Sequence, residues 1–177
     1  MTPARSLLWV SAAFILLASL APSHSNPRPI ASAQHSSYAE IRAVYDRWKK
    51  AFEARDLDGI MALYAPGDAV VAYDIVPPLQ YRGYAAYRQD YQSFLAQYVG
   101  AIRVEYRDLR ILSSGDLGVI NALERITGRL KSGERSDLWL RATSVMRKID
   151  GKWLIVHDHI SLPADLATGK AVFDLKP

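Results

Sequence analysis

Residues 102–161 read IRVEYRDLRIL SSGD LGVINALERITGRL KSGER SDLWLRATSVMRK IDG KWLIVHDHIS, and this stretch decides the fold. Ile102 to Leu112, Leu117 to Leu130, Ser136 to Lys148 and Lys152 to Ser161 alternate apolar and polar residues, the spacing of a strand with one buried face. Their joints, Ser113-Ser114-Gly115-Asp116, Lys131-Ser132-Gly133-Glu134 and Ile149-Asp150-Gly151, are turn formers too short for anything but antiparallel neighbours. A four-stranded meander follows. Near Asp108 the apolar phase moves from Ile102, Val104 and Tyr106 to Leu109 and Ile111, which predicts a bulge that bends the sheet.

Upstream the period lengthens to that of a helix. Ser37-Tyr38-Ala39-Glu40 fits a capping box opening a helix whose apolar face is Ile41, Val44, Tyr45, Trp48, Ala51 and Phe52. Shorter helices are expected over Asp58 to Tyr64 and Tyr84 to Tyr98, the latter with a stripe of Tyr84, Tyr87, Tyr91, Phe94, Leu95 and Tyr98. AVVAYDI, residues 69–75, reads as one more strand. Three helices followed by a long antiparallel sheet make an α+β domain in which helices cover one face of the sheet.

The chain has 177 residues, 22 basic and 18 acidic, with a formal charge of +4 and no cysteine. Length and composition fit one globular domain. Arg5 and Arg28 precede every acidic residue, so the rest of the chain is close to balance, and no phosphate-tracking surface or nucleic-acid partner is expected. Without cysteine there is no disulfide framework, thiolate nucleophile or cysteine-ligated metal. A basic start, the apolar run from Ser6 to Ala21 and the small-residue triplet Ala31-Ser32-Ala33 read as a secretory signal over residues 1–33, with cleavage after Ala33 or after Ala21. The run is short for a bilayer span, so contact with the membrane is expected only during export. Residues 34–37 form a spacer, 38–163 the domain and 164–177 a C-terminal tail, and the product is expected in the periplasm or outside the cell.

Candidate chemistry gathers on the last strands. His157, His159 and Ser161 share one face of KWLIVHDHIS, and what they meet depends on two turns. A two-residue Asp150-Gly151 turn puts His157 against Ser144 and His159 against Ala142. A three-residue Ile149-Asp150-Gly151 loop sets Thr143 against His157 and Arg141 against His159, and leaves Asp158 as the one interruption of an apolar face; this register is favoured. With a two-residue Ser132-Gly133 turn, Glu124 faces Arg141, and a row Glu124, Arg141, His159 crosses three strands. The row reads as a structural salt bridge, as an oxyanion-holding arginine beside a proton-moving histidine, or as part of a metal site, although Arg141 opposes a divalent ion. Were the row buried, Arg141→Ala would leave a partnerless carboxylate at a cost of about 3–5 kcal/mol. Asp74 ends the 69–75 strand before the stiff Ile75-Val76-Pro77-Pro78 loop, where burial against Tyr73 and Tyr81 would raise its pKa into the range of a general base. It is read either as that base or as a solvated turn residue.

The segments 39–75, PPLQYRGYAAYR (77–88), ALERITG (122–128), DLWLRATSVMRKIDGKW (137–153) and IVHDHISLP (155–163) resemble, in order and spacing, the nuclear transport factor 2-like superfamily. Within it the chain is similar to the SnoaL-like and ketosteroid isomerase-homologue proteins, from Tyr38 to Pro163. The resemblance implies a cone: a strongly curved antiparallel sheet wrapped around three helices, with a pocket at its open end, often dimeric through the sheet's outer face. Asp74, Glu124, Arg141, Thr143, His157, His159 and Ser161 fall where such homologues tend to place pocket-lining polar residues. Asp74, Arg141, His157 and His159 are read as catalytic and Tyr73, Tyr81, Glu124, Trp139, Thr143 and Ser161 as substrate contacts, with no cofactor and no metal expected. Asp74 resembles the isomerase base in position; the His-x-His-x-Ser strand departs from the isomerase pattern. Three readings stay open: a cofactor-independent isomerase or lyase moving a proton on a hydrophobic carbonyl compound, a noncatalytic ligand-binding protein, and a dimerising module.

Overall fold

The computed structural model describes residues 30–177. The basic start and apolar run expected as a leader lie outside the described residues. Helix α1 spans Ile30–Glu53, so the expected capping box at Ser37 falls inside a helix. No glycine or proline between Ile30 and Ser37 stops the helix there. Glu40, expected to close the box, instead accepts hydrogen bonds from Lys148 Nζ and Trp153 Nε1, both at 2.7 Å, and so ties α1 to the far strands.

Helix α2, Leu57–Met61, is shorter than expected and is capped by the Asp56 side chain, which accepts from the Gly59 N–H at 2.9 Å. A single 3-10 turn over Gly67–Ala69 leads to β1, Val71–Tyr73, and then to β2, Tyr81–Arg82. Helix α3 runs Tyr84–Leu95. The meander is β3, Tyr98–Ser114, β4, Leu117–Leu130, β5, Arg135–Ile149, and β6, Lys152–Ser161. The tail adds a two-residue hairpin of β7, Ala164–Asp165, with β8, Lys170–Ala171. The main sheet has the order β2-β1-β6-β5-β4-β3 and is not closed; β1 lies parallel to β6 and every other pairing is antiparallel. This is the curved α+β arrangement the sequence predicts, with the helices on the concave side.

Asp108 has a positive φ of 51° at a register shift between Arg107 and Arg110, the bulge that carries the switch of apolar phase in β3. The two later hairpins correct the expected pairings. Leu130 N–H donates to Glu134 O around Lys131-Ser132-Gly133, making a three-residue loop with Gly133 at φ 92°. Glu124 therefore pairs with Leu140, not Arg141. The Asp150-Gly151 joint is the two-residue turn, with φ of 49° and 76°, the primed geometry that Asp-Gly favours. A second shift between Val145 and Met146 then leaves Val156 as an extra residue in β6. Beyond it Val145 pairs with His157, Thr143 with His159 and Arg141 with Ser161.

That extra residue sets which side chains face the helices. Trp153 and Ile155 point inward before it and Asp158 and Ile160 after it, so the apolar face contains Trp153 and Ile155 where the unbroken alternation predicts Leu154 and Val156. The α1 face, Ile41, Val44, Tyr45, Trp48 and Phe52, is buried in the concavity. Contact is close enough to require glycine in β4: a Cβ on Gly118 would lie 2.5 Å from Ile41 Cδ1.

Candidate functional site

At the open end of the concavity, α1, α3, the 74–81 loop, β4, β5 and the tail enclose a cavity of about 830 Å³. Its walls are mostly apolar and aromatic, including Trp48, Phe52, Tyr81, Tyr91, Phe94 and Phe173. Strand alternation brings the acids in. Ala72 and Asp74 face inward on and just after β1 while Tyr73 faces out, and Glu124 faces inward on β4 between Ala122 and Ile126. Asp90 reaches the cavity from α3.

Asp74 accepts from its neighbour's Ile75 N–H at 2.6 Å and from the Tyr87 hydroxyl at 3.4 Å. Burial, and then the nearby Asp90 charge, push its pKa up to about 6. Glu124 is 4% exposed and accepts from the Tyr45 hydroxyl at 3.4 Å through Oε2. Its other oxygen has no hydrogen-bond partner among the described residues. Burial, and then the charge of Asp158, push Glu124 up to about 8. At neutral pH the same cavity thus holds an ionised Asp74 and a protonated Glu124, set apart by environment alone.

Behind the wall lies a buried hydrogen-bond chain. Trp48 Nε1 has only a proton to give and donates to Tyr91 Oη at 3.0 Å; Tyr91 and Tyr64 hydroxyls are 2.6 Å apart; Tyr64 donates to Asp158. Ser144 Oγ donates to the other Asp158 oxygen at 2.6 Å, and the Tyr87 hydroxyl lies 3.5 Å from Asp158 and 3.4 Å from Asp74. Burial raises the pKa of Asp158, and also those of Tyr64, Tyr87 and Tyr91, so the phenols stay protonated and serve as donors. This network positions Asp74 from behind and fixes the direction of its protons.

Of the residues singled out from sequence, Asp74, Tyr81 and Glu124 line the cavity. Tyr73, Trp139, Arg141, Thr143, His157, His159 and Ser161 do not. They lie on the outer face of the sheet, so the expected Glu124-Arg141-His159 row does not form: Glu124 is buried inside and Arg141 is exposed outside. The reason is the loop after β4, which shifts the β4–β5 pairing by one residue. Arg141 and His159 do share a face, but as diagonal neighbours on the side away from the cavity. There the Tyr73 ring stands edge-on to His157 and His159, with centroids 5.0 and 5.6 Å away, and His157 Nδ1 donates to Val71 O at 2.7 Å. Trp139 lies under the Arg107 and Arg125 guanidinium groups, outside as well. No group of three metal-ligating side chains converges among the described residues.

Sequence reasoning missed Asp90, Asp158, Tyr64 and Trp48. The signals were present: Asp158 is the one charge on the apolar side of β6, and Asp90 sits beside Tyr91 in the tyrosine stripe of α3.

Known structures show what the chain resembles. An NTF2-like protein of unknown function from Pseudomonas putida KT2440 is 35% identical, with a TM-score of 0.73 over 81% of this chain and 98% of that one. An NTF2-like superfamily protein from Salmonella enterica is 19% identical, TM-score 0.67, over 78% and 99%. A dehydratase by provisional assignment, from the NTF2-like family of Streptomyces avermitilis, is 18% identical, TM-score 0.63, over 72% and 97%. The last two show the fold alone. No curated protein matches the chain. Because the SnoaL-like domain matches residues 41–165, most of the chain, and the fold agrees, the protein belongs to the SnoaL-like family of the NTF2-like superfamily.

Proposed function

We propose that the cavity takes a hydrophobic carbonyl compound and moves a proton on it without a cofactor, as an isomerase or lyase. The observation that carries this reading is the pair of acids lining one cavity: Asp74, with a pKa of about 6, and Glu124, with a pKa of about 8. The Asp74 carboxylate takes a proton from the carbon next to the carbonyl, and the electrons of that C–H bond move to the oxygen as an enolate. The Glu124 O–H donates a hydrogen bond to that oxygen. Protonated Asp74 then returns the proton at another carbon, or a group leaves from the neighbouring carbon. Arg141, His157 and His159 have no part in this scheme, because the sheet separates them from the cavity.

The test is exchange of the α-protons of 4-phenylbutan-2-one in D2O, followed by NMR. The wild type accelerates exchange and Asp74→Asn removes most of the acceleration. Exchange no faster than in buffer across pH 5–9 refutes the scheme and leaves ligand binding without turnover. Export and a homodimer belong to the same proposal. The charged start, apolar run and Ala-Ser-Ala triplet support export, and the outer-face patch around Tyr73, itself 41% exposed, is where a second copy would sit.

A further inference from the structure

We infer that the carbonyl compound this cavity takes also carries an amine, bound as its cation with the ammonium group beside Asp90; the inference rests on the reading of the cavity as a ligand site. Asp74, Asp90, Glu124 and Asp137 all line the cavity, and among the described residues no lysine, arginine or histidine does. Asp137 is already satisfied, since Arg125 on the outer surface holds both its oxygens at 2.8 and 2.9 Å. The other three make no ion pair among the described residues. Glu124 is 4% exposed, and one of its carboxyl oxygens accepts no hydrogen bond among the described residues.

Such a set is costly for a protein to keep. Buried carboxyls without a cation either lose their charge or repel one another, and both effects are visible in the upward pKa shifts of Asp74, Asp90 and Glu124. An ammonium ion supplies the missing charge. The aromatic walls suit the hydrocarbon part of the same guest, since Trp48, Phe52, Tyr81 and Tyr91 line the cavity. A carboxylate or phosphate ester would meet three acids and no counter-charge. A neutral compound would be tolerated but would leave Asp90 unpaired.

A matched set of probes separates these cases: 4-phenylbutylamine, 4-phenylbutan-2-one and 4-phenylbutyrate, titrated into the whole protein by calorimetry at pH 7. The amine binds at least about tenfold more tightly than the ketone, and the butyrate most weakly. Because the cation favours ionised neighbours, amine binding releases protons, so its heat changes between buffers of different ionisation enthalpy while that of the ketone does not. Asp90→Asn weakens binding of the amine far more than binding of the ketone. Equal affinity of amine and ketone, or preference for the butyrate, overturns this inference while the cavity remains a ligand site. Failure of all three to bind overturns both.

Discussion

Replacing Glu124 by glutamine should change how stability depends on pH, and the structure sets the sign and size. In the unfolded chain this carboxyl ionises near the ordinary value of 4.5; in the folded protein burial and Asp158 move it to about 8. Between these two values the folded state binds one more proton than the unfolded state. Stability from this group therefore falls as pH rises, by about 1.4 kcal/mol per pH unit, is fully present below the unfolded pKa and is lost once pH passes the folded one. At pH 7 the loss amounts to about 3 kcal/mol and above pH 8 to about 5 kcal/mol. Glutamine keeps the shape and has no proton to lose, so Glu124→Gln removes this slope. The variant should match the wild type near pH 5 and be more stable by about 3 kcal/mol at pH 7, less whatever its amide loses by imperfect hydrogen bonding. Urea unfolding followed by circular dichroism at half-unit steps from pH 5 to 9 measures the difference directly. If the two proteins lose stability in parallel over that range, Glu124 is ionised in the folded state and the protonated-donor role fails with it.

The same two acids predict a bell-shaped pH–rate profile for any turnover: activity rises as Asp74 deprotonates near pH 6 and falls as Glu124 loses its proton near pH 8. A rate still climbing at pH 9 would show that Glu124 is not needed as a donor. Arg141→Ala should change stability by less than about 0.5 kcal/mol, because Arg141 is exposed on the outer face and leaves no buried partner behind; a loss of several kcal/mol in denaturant titration would mean that the pairing is wrong. Gly118→Ala should destabilise by about 1–3 kcal/mol, since the new methyl meets Ile41 Cδ1 and this fully buried side chain has to shift within the core. Recovery of stability in the Gly118→Ala, Ile41→Val double variant checks that the two side chains are in conflict.

The architecture was legible because it is written in periods. Alternation in β3 to β6, the turn formers between them and the 3.6-residue stripe of α1 each point to one element, and the phase change at Asp108 marked a bulge that the backbone confirms. The site was less legible because it depends on counts of one. Lys131-Ser132-Gly133 and Asp150-Gly151 are both good loops of two or three residues, and the expected lengths were interchanged. The bulge at Val156 carries no glycine, proline or polar residue to announce it; it lies in the run Leu154-Ile155-Val156, where either face accepts any of the three. Asp74 was found because it ends an apolar strand before a stiff loop, and Glu124 through a pairing with Arg141 that does not form. Asp158 was seen but passed over in favour of the histidines beside it, which alternation sends to the other side of the sheet.

Val156 works like a frameshift in three dimensions. Every residue from His157 to Ser161 keeps its place in the sequence, yet its side of the sheet is set by one uncounted position upstream. Deleting Val156 would restore plain alternation and leave Ile155 and Asp158 inward and His157 and His159 outward, whereas keeping it without the bulge would turn His157 and His159 toward the helices or pull Trp153 and Ile155 out of the core. Two relatives with the same letters in this strand, one with the bulge and one without it, would therefore present opposite chemistry to their cavities. Comparing them letter by letter would equate an inward aspartate with an outward one, so residues on β6 should be equated by the face they occupy.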